Sequence, residues 1–187
     1  TNTWLRPNLG AIVNYVREGT LDFVLLKPID SQFWVSVRTL APTGIPEIAL
    51  GIVLILWAAS KAGAELSFGV LFVTSMMLLV GCIILYSLWF LIAATTIWFV
   101  KTWNATEVLR ALLAAGRFPV VAYPPILRII FTVLLPIAFL TTVPAEVILG
   151  QSATYTLLLG WFLALIAFFL SRIFWNFALS FYTSASS

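Results

Sequence analysis

The sequence contains no histidine, a single cysteine and very little charge. Without histidine, the chain cannot ligate haem or a metal through imidazole, and it cannot form a Ser–His or Cys–His catalytic pair. Cys82 alone cannot form an internal disulfide. Charged residues make up 9% of the 187 residues, whereas an ordinary soluble domain has about 25%. So few charges, in a chain that is 62% hydrophobic, exclude a soluble enzyme.

The sequence is instead rich in apolar residues. Hydrophobic residues make up 62% of the chain, and they include fifteen Phe, eight Trp and five Tyr. This composition excludes a disordered, solvated polypeptide. No GxxxxGK[ST] motif occurs, so the chain does not itself bind nucleotide phosphates. We therefore predict an all-α, polytopic integral membrane protein with about four transmembrane helices and additional cytoplasmic helices.

A transmembrane helix needs about 20 mostly apolar residues. The predicted spans are 45–62, 67–100, 124–143 and 154–175. The second stretch is long enough for one long crossing or two short ones. A single crossing places every Lys and Arg except Lys61 on the same side, and the positive-inside bias favours this arrangement. The prediction is a transmembrane domain over 45–175 with a cytoplasmic segment at 1–44, a cytoplasmic loop at 101–123 and a cytoplasmic tail at 176–187.

The loop between the second and third spans has the pattern of an amphipathic helix over about 105–115. Asn104 can cap its start, with Glu107 three residues later, and Gly116 can end it. We expect this helix to lie at the membrane surface. The alternative is a polar beginning to the next span.

The cytoplasmic segment contains the string VREGTLDFVLLKPID at residues 16–30. Gly19 should interrupt the preceding helix, Thr20 can cap a new one, and Pro28 prevents its continuation. The result would be a helix of barely two turns at 21–27 that exposes Leu21, Val24, Leu25 and Leu26. Such a helix is too short to be stable alone, so it needs a partner.

The predicted spans carry few ionisable residues. Glu47 lies in the first turn of the first span, where it is either an end-of-helix anchor or a coupling-ion site. Arg172 lies near the inner end of the last span, from which its side chain can reach the interface. The bilayer centre is left without a carboxylate pair, which argues against ion-coupled transport.

The string at 16–30 resembles the cytoplasmic segment before a span in permeases of bacterial ABC transporters of the type-2 exporter class, particularly the daunorubicin/viologen-exporter-like subfamily. The sequence TVPAE at 142–146 with Gly150, and the tail YTSAS at 182–186, are similar to other segments of that subfamily. Those permeases have six spans, so we expect either that the first two spans are missing here or that the sequence starts late in the natural protein.

The resemblance implies a multi-pass permease of the bacterial inner membrane that pairs with a second copy of itself or with another permease. A separate ATP-binding subunit would bind ATP and magnesium, and this chain would bind no cofactor and no nucleic acid. It would contact that subunit through the short helix and the turn before it, that is, through Arg17, Glu18, Gly19, Leu21, Asp22, Val24, Leu25, Leu26 and Pro28.

Two other classes of protein fit the composition. One is a non-catalytic, hydrophobic structural subunit of a larger bioenergetic membrane complex, which would not need the block before the first span. The other is a membrane-embedded enzyme, which the lack of histidine and of an intramembrane acidic pair disfavours.

Overall fold

The computed structural model describes residues 5–39, 41–98, 114, 122–131 and 137–183. These residues form helices and turns and contain no strand, which confirms the predicted all-α class. The α-helices in chain order are α1 (Leu5–Arg17), α2 (Asp22–Leu25), α3 (Ser31–Val37), α4 (Ile45–Lys61), α5 (Phe68–Ala94), α6 (Pro125–Ile129), α7 (Thr142–Ile148) and α8 (Thr154–Leu179). Short 3-10 turns lie at Pro42–Gly44, Thr95–Ile97 and Ile137–Leu140.

Three helical segments of the described chain are long and apolar enough to cross a membrane. They are Pro42–Lys61, Phe68–Ile97 and Thr154–Leu179. The helix predicted over 67–100 is continuous from Phe68 to Ala94, because the run contains no proline and Gly81 does not break it. Its 27 residues extend about 40 Å, longer than a hydrocarbon core of about 30 Å, so a tilted crossing would accommodate it.

Two predicted elements fall partly or wholly outside the described residues. The predicted span 124–143 includes residues 132–136, which lie outside them, while the flanking residues form α6, a 3-10 turn and the start of α7. The predicted surface helix at 105–115 also lies outside the described residues, except for Ala114, which is helical. Both elements therefore stay predictions.

The chain divides into two compact units, called here the first and second unit. The first unit comprises Thr1–Ala49, Ser87–Leu109 and Phe169–Ser187, and the second comprises Leu50–Tyr86 and Arg110–Phe168. The first unit therefore contains the three short N-terminal helices together with the carboxyl ends of α5 and α8.

The second unit is packed around Phe139, which has no solvent-exposed surface. A Cβ atom added at Gly81 of α5 would lie 2.6 Å from the Phe139 carbonyl oxygen. One added at Gly160 of α8 would lie 2.7 Å from the Phe139 ring. Since real Cβ atoms do not approach so closely, an alanine at Gly81 would require the backbone at Phe139 to move, and one at Gly160 would require the Phe139 ring to move. Gly81, a weak helix breaker by sequence alone, is in fact a site of close packing.

Candidate functional site

The chain reverses direction after α1 through a Schellman motif centred on Gly19. Gly19 has a positive φ of 67°, which glycine adopts without steric cost. The Thr20 amide donates to the Tyr15 carbonyl over 2.9 Å, and the Gly19 amide donates to Val16 over 3.4 Å. The predicted interruption at Gly19 is confirmed.

The predicted cap of the following helix is wrong. Leu21, not Thr20, occupies the N-cap position of α2, and it makes no side-chain capping bond. Thr20 instead belongs to the turn after α1, where its amide donates to the Tyr15 carbonyl. The α-helix is also shorter than predicted, since it covers only Asp22–Leu25, with Leu26 as the C-cap residue.

The apolar face predicted to be exposed divides into an inner and an outer part. Leu21 is fully buried and Val24 is 3% exposed, so the predicted exposure of these two side chains is wrong. Both are covered within the first unit, where α2 packs against α3. Phe23, Leu25 and Leu26 are 69%, 39% and 80% exposed. We call these three residues the outer ridge of α2.

The remaining residues predicted to contact a partner surround this ridge. Arg17, Glu18 and Pro28 are exposed, whereas Gly19 and Asp22 are partly buried. Asp22 faces Tyr182 in the segment after α8. Burial, together with the charge of the Asp22 carboxylate, raises the pKa of the Tyr182 hydroxyl. All these residues belong to the first unit.

Helix α3 was not predicted from the sequence, although its cap carries a recognisable signal. Asp30 is the N-cap residue, and its Oδ1 accepts a 2.8 Å hydrogen bond from the Phe33 amide. Asp is a preferred N-cap residue, so the pattern after Pro28 could have indicated a helix start. The partner of this carboxylate could not have been read from the sequence, because it lies 142 residues away.

That partner is Arg172 of α8. Its Nη1 donates to Asp30 Oδ1 over 2.8 Å, and its Nη2 makes a second, shorter hydrogen bond to Oδ2. The guanidinium therefore holds the carboxylate with two parallel bonds, and this contact lowers the pKa of Asp30. Arg172 thus forms an ion pair, in addition to its predicted ability to reach the interface.

Two neighbours of Asp30 also bind α8. Trp175 Nε1 donates to Ser31 Oγ over 3.0 Å. Gln32 Nε2 lies 3.5 Å from Ser171 Oγ, and Arg172 Nη1 lies 3.4 Å from Gln32 Oε1. We call this set the polar joint; its members are Asp30, Ser31 and Gln32 on the α3 side and Ser171, Arg172 and Trp175 on α8.

Helix α3 is also fastened to α1. Asn8 of α1 donates to the Thr39 carbonyl over 2.6 Å and accepts from the Thr39 amide over 2.7 Å, which reproduces a backbone-like pair. The Arg38 guanidinium donates to the Tyr15 hydroxyl. The segment after α3 is therefore joined to α1 by specific hydrogen bonds.

The carboxyl ends of α5 and α8 run side by side in the same direction. Phe90 packs edge-to-face on Trp175 at 5.1 Å, and Trp98 packs on Phe181 at 5.6 Å between ring centroids. The number of membrane crossings within 67–100 stays a prediction.

The described part of the chain contains no cluster of His, Cys, Asp or Glu that could hold a metal ion. Its long apolar helices and its polar N-terminal helices define an all-α, multi-pass membrane protein. A family model described as ABC-2 family transporter protein matches residues 1–186, so the chain belongs to that family. It is an ABC-2 type permease, and this membership implies partnership with an ATP-binding subunit and with the membrane. Neither the curated proteins nor the solved structures give a significant match.

Proposed function

We propose that this chain is the permease of an ATP-driven exporter of the daunorubicin/viologen-exporter-like subfamily, in the bacterial inner membrane. In this proposal it pairs with a second copy or with another permease, and it couples ATP hydrolysis by the separate ATP-binding subunit to substrate translocation. The coupling contact is the outer ridge of α2, flanked by Arg17, Glu18 and Pro28.

The observation that carries this proposal is that the segment Leu21–Leu26 has one buried apolar side and one exposed apolar side. Leu21 and Val24 anchor the helix to its own chain, while Phe23 and Leu26 are mostly exposed beside charged residues. Large apolar side chains exposed in this way mark interaction surfaces. A helix anchored on one face and apolar on the other can be seated in a cleft of a partner and moved as a rigid body.

Replacement of Leu26 by Asp tests the contact. Burial of a Leu side chain contributes about 1.5–3 kcal/mol, and an unpaired charge at the same place adds a penalty. We expect Leu26→Asp to weaken the association with the ATP-binding subunit by about tenfold or more. Phe23→Asp should act similarly. The measurement is co-purification of the ATP-binding subunit with the permease from solubilised membranes.

Leu66→Asp is the matched control. Leu66 is 37% exposed and lies in the loop between α4 and α5, which we predict to be external. This variant introduces the same charge but should leave co-purification unchanged. Undiminished co-purification with Leu26→Asp, at normal membrane levels of the permease, would reject the proposed contact and favour the structural-subunit alternative.

A further inference from the structure

We propose that the polar joint transmits movement of α2 to α8, and that Asp30 and Arg172 are positioning residues for this transmission. The inference rests on the proposed function, because it presupposes that the ATP-binding subunit moves α2. It adds a second element, on the last long helix, which neither the family match nor the short helix itself identifies.

In this proposal α2 and α3 move together. Only five residues, 26–30, separate the two helices. Within this connection the Lys27 ammonium lies 3.7 Å from the centre of the Trp34 ring on α3, which is a cation–π contact. Val24, on the inner face of α2, is buried where α2 packs on α3. A displacement of the outer ridge therefore displaces the start of α3.

The geometry of the polar joint restricts movement of α3 relative to α8. The three α8 residues lie within slightly more than one helical turn, and Ser171, Arg172 and Trp175 all engage the first turn of α3. A two-bond contact between guanidinium and carboxylate fixes orientation as well as distance. Apolar contacts can slide, whereas this arrangement resists sliding and rotation of α3 against α8.

Helix α8 is long enough to carry a movement from one end to the other. It is continuous from Thr154 to Leu179, and its 26 residues extend about 39 Å. A helix of this kind moves as a rigid element when it is pulled at one end. The polar joint therefore connects α3 to α8 near the carboxyl end of α8. A displacement of α3 would act there on a helix that is long enough to cross a membrane.

The variants for the test separate charge from helix capping. Asp30→Asn retains an N-cap residue for α3 but removes the negative charge. Arg172→Gln removes the positive charge and retains hydrogen-bonding groups. Arg172→Lys keeps the charge but cannot form the two-bond contact. The double variant Asp30→Asn/Arg172→Gln shows whether the two residues act as a unit.

The measurement uses the permease with its ATP-binding subunit in lipid nanodiscs. In a Cys82→Ser background, a single cysteine replaces Tyr155, which is 73% exposed near the start of α8, and carries an environment-sensitive fluorophore. Trapping with ATP and vanadate should change its emission. We expect Asp30→Asn and Arg172→Gln each to reduce this change by about fivefold or more, within the usual range of coupling between sites. The double variant should be no worse, and Arg172→Lys should be intermediate.

The expected result is loss of the fluorescence change with retained co-purification of the ATP-binding subunit. A full fluorescence change in the variants, even with lowered thermal stability, would mean that the joint is merely structural and would overturn the inference. Loss of the ATP-binding subunit from Asp30→Asn would also overturn it, because Asp30 would then belong to the docking surface. Undiminished co-purification with Leu26→Asp would instead reject the proposed function.

Discussion

The first and second units differ in the kind of interaction that stabilises each of them internally. In the first unit, long-range hydrogen bonds and an ion pair join α3 to α1 and to α8. In the second unit, the Phe139 side chain and backbone fit against Gly81 and Gly160 without an intervening side chain. In the first unit, directional polar contacts therefore fix the positions of the helices. In the second unit, close steric fit does so.

This difference follows from the surroundings we predict for each unit. Lipid chains are as apolar as Leu, so helices inside a bilayer gain little from hydrophobic burial and associate through close packing at small residues. Glycines at 81 and 160 serve this purpose. At the membrane surface, water competes for polar groups, so specific pairing must come from geometry, as in the two-bond contact of Arg172 with Asp30.

The largest effect that tests this comparison is expected at Phe139. In soluble cores, Phe→Ala costs about 3–5 kcal/mol, because it removes packing and leaves a cavity. We expect Phe139→Ala to lower the thermal stability in detergent by less than this amount, because mainly the packing and cavity contributions are lost in apolar surroundings. The measurement is the loss of monodisperse protein on heating. Phe162→Ala on α8, where the ring is 61% exposed, is the control and should change little.

The second effect is steric. Gly81→Ala would put a Cβ atom 2.6 Å from the Phe139 carbonyl oxygen. Because this oxygen belongs to the backbone, the clash can be relieved only by a movement of the backbone. Overpacking of this kind costs about 1–3 kcal/mol. Gly51→Ala in α4 is the control, because a Cβ atom there would meet nothing within 4 Å. If both alanines were equally tolerated in the heating assay, the close fit in the second unit would not be essential.

A smaller effect is expected from Asn8 in the first unit. Asn8→Ala removes both hydrogen bonds to Thr39 and leaves a backbone amide and carbonyl without this partner. An unsatisfied buried group costs about 1–3 kcal/mol, and the partial exposure of this site puts the expected loss at the low end. Asn8→Asp keeps the acceptor for the Thr39 amide but places a carboxylate oxygen against the Thr39 carbonyl at a position only 2% exposed, so it should not restore the lost stability. An Asn8→Ala variant as stable as the wild type would show that this pair of hydrogen bonds does not contribute.

The sequence alone predicts much of the helical framework and little of the tertiary structure. Hydropathy indicates the long helices because a 27-residue apolar run such as Phe68–Ala94 has few alternatives in a membrane. Gly19 is identifiable because a positive φ favours glycine. Leu21 is buried by tertiary packing, which the pattern of residues 16–30 does not encode. The contact of Asp30 with Arg172 joins residues 142 positions apart, which no local pattern encodes.

The smallest effect concerns the charge of the polar joint. Arg172 lowers the pKa of Asp30, so the ionised carboxylate is stabilised in the folded state. This stabilisation is present above the unfolded pKa of about 3.9 and is lost as the pH falls through the lower folded value. Both side chains are more than a third exposed, so the pair contributes only about 0.2–1 kcal/mol. The stability difference between the wild type and Asp30→Asn should therefore be the same at about pH 7 and pH 5.

Salt distinguishes the two units at constant pH. Raising the ionic strength from about 0.1 M to 1 M shortens the Debye length from about 10 Å to 3 Å, so it weakens a partly exposed ion pair. The stability difference between the wild type and Asp30→Asn should shrink, whereas the cost of Phe139→Ala should persist, because that contact carries no charge. A cost of Asp30→Asn that does not respond to salt would mean that α3 is held on α8 by the hydrogen bonds of Ser31 and Gln32 and by packing, and not by charge.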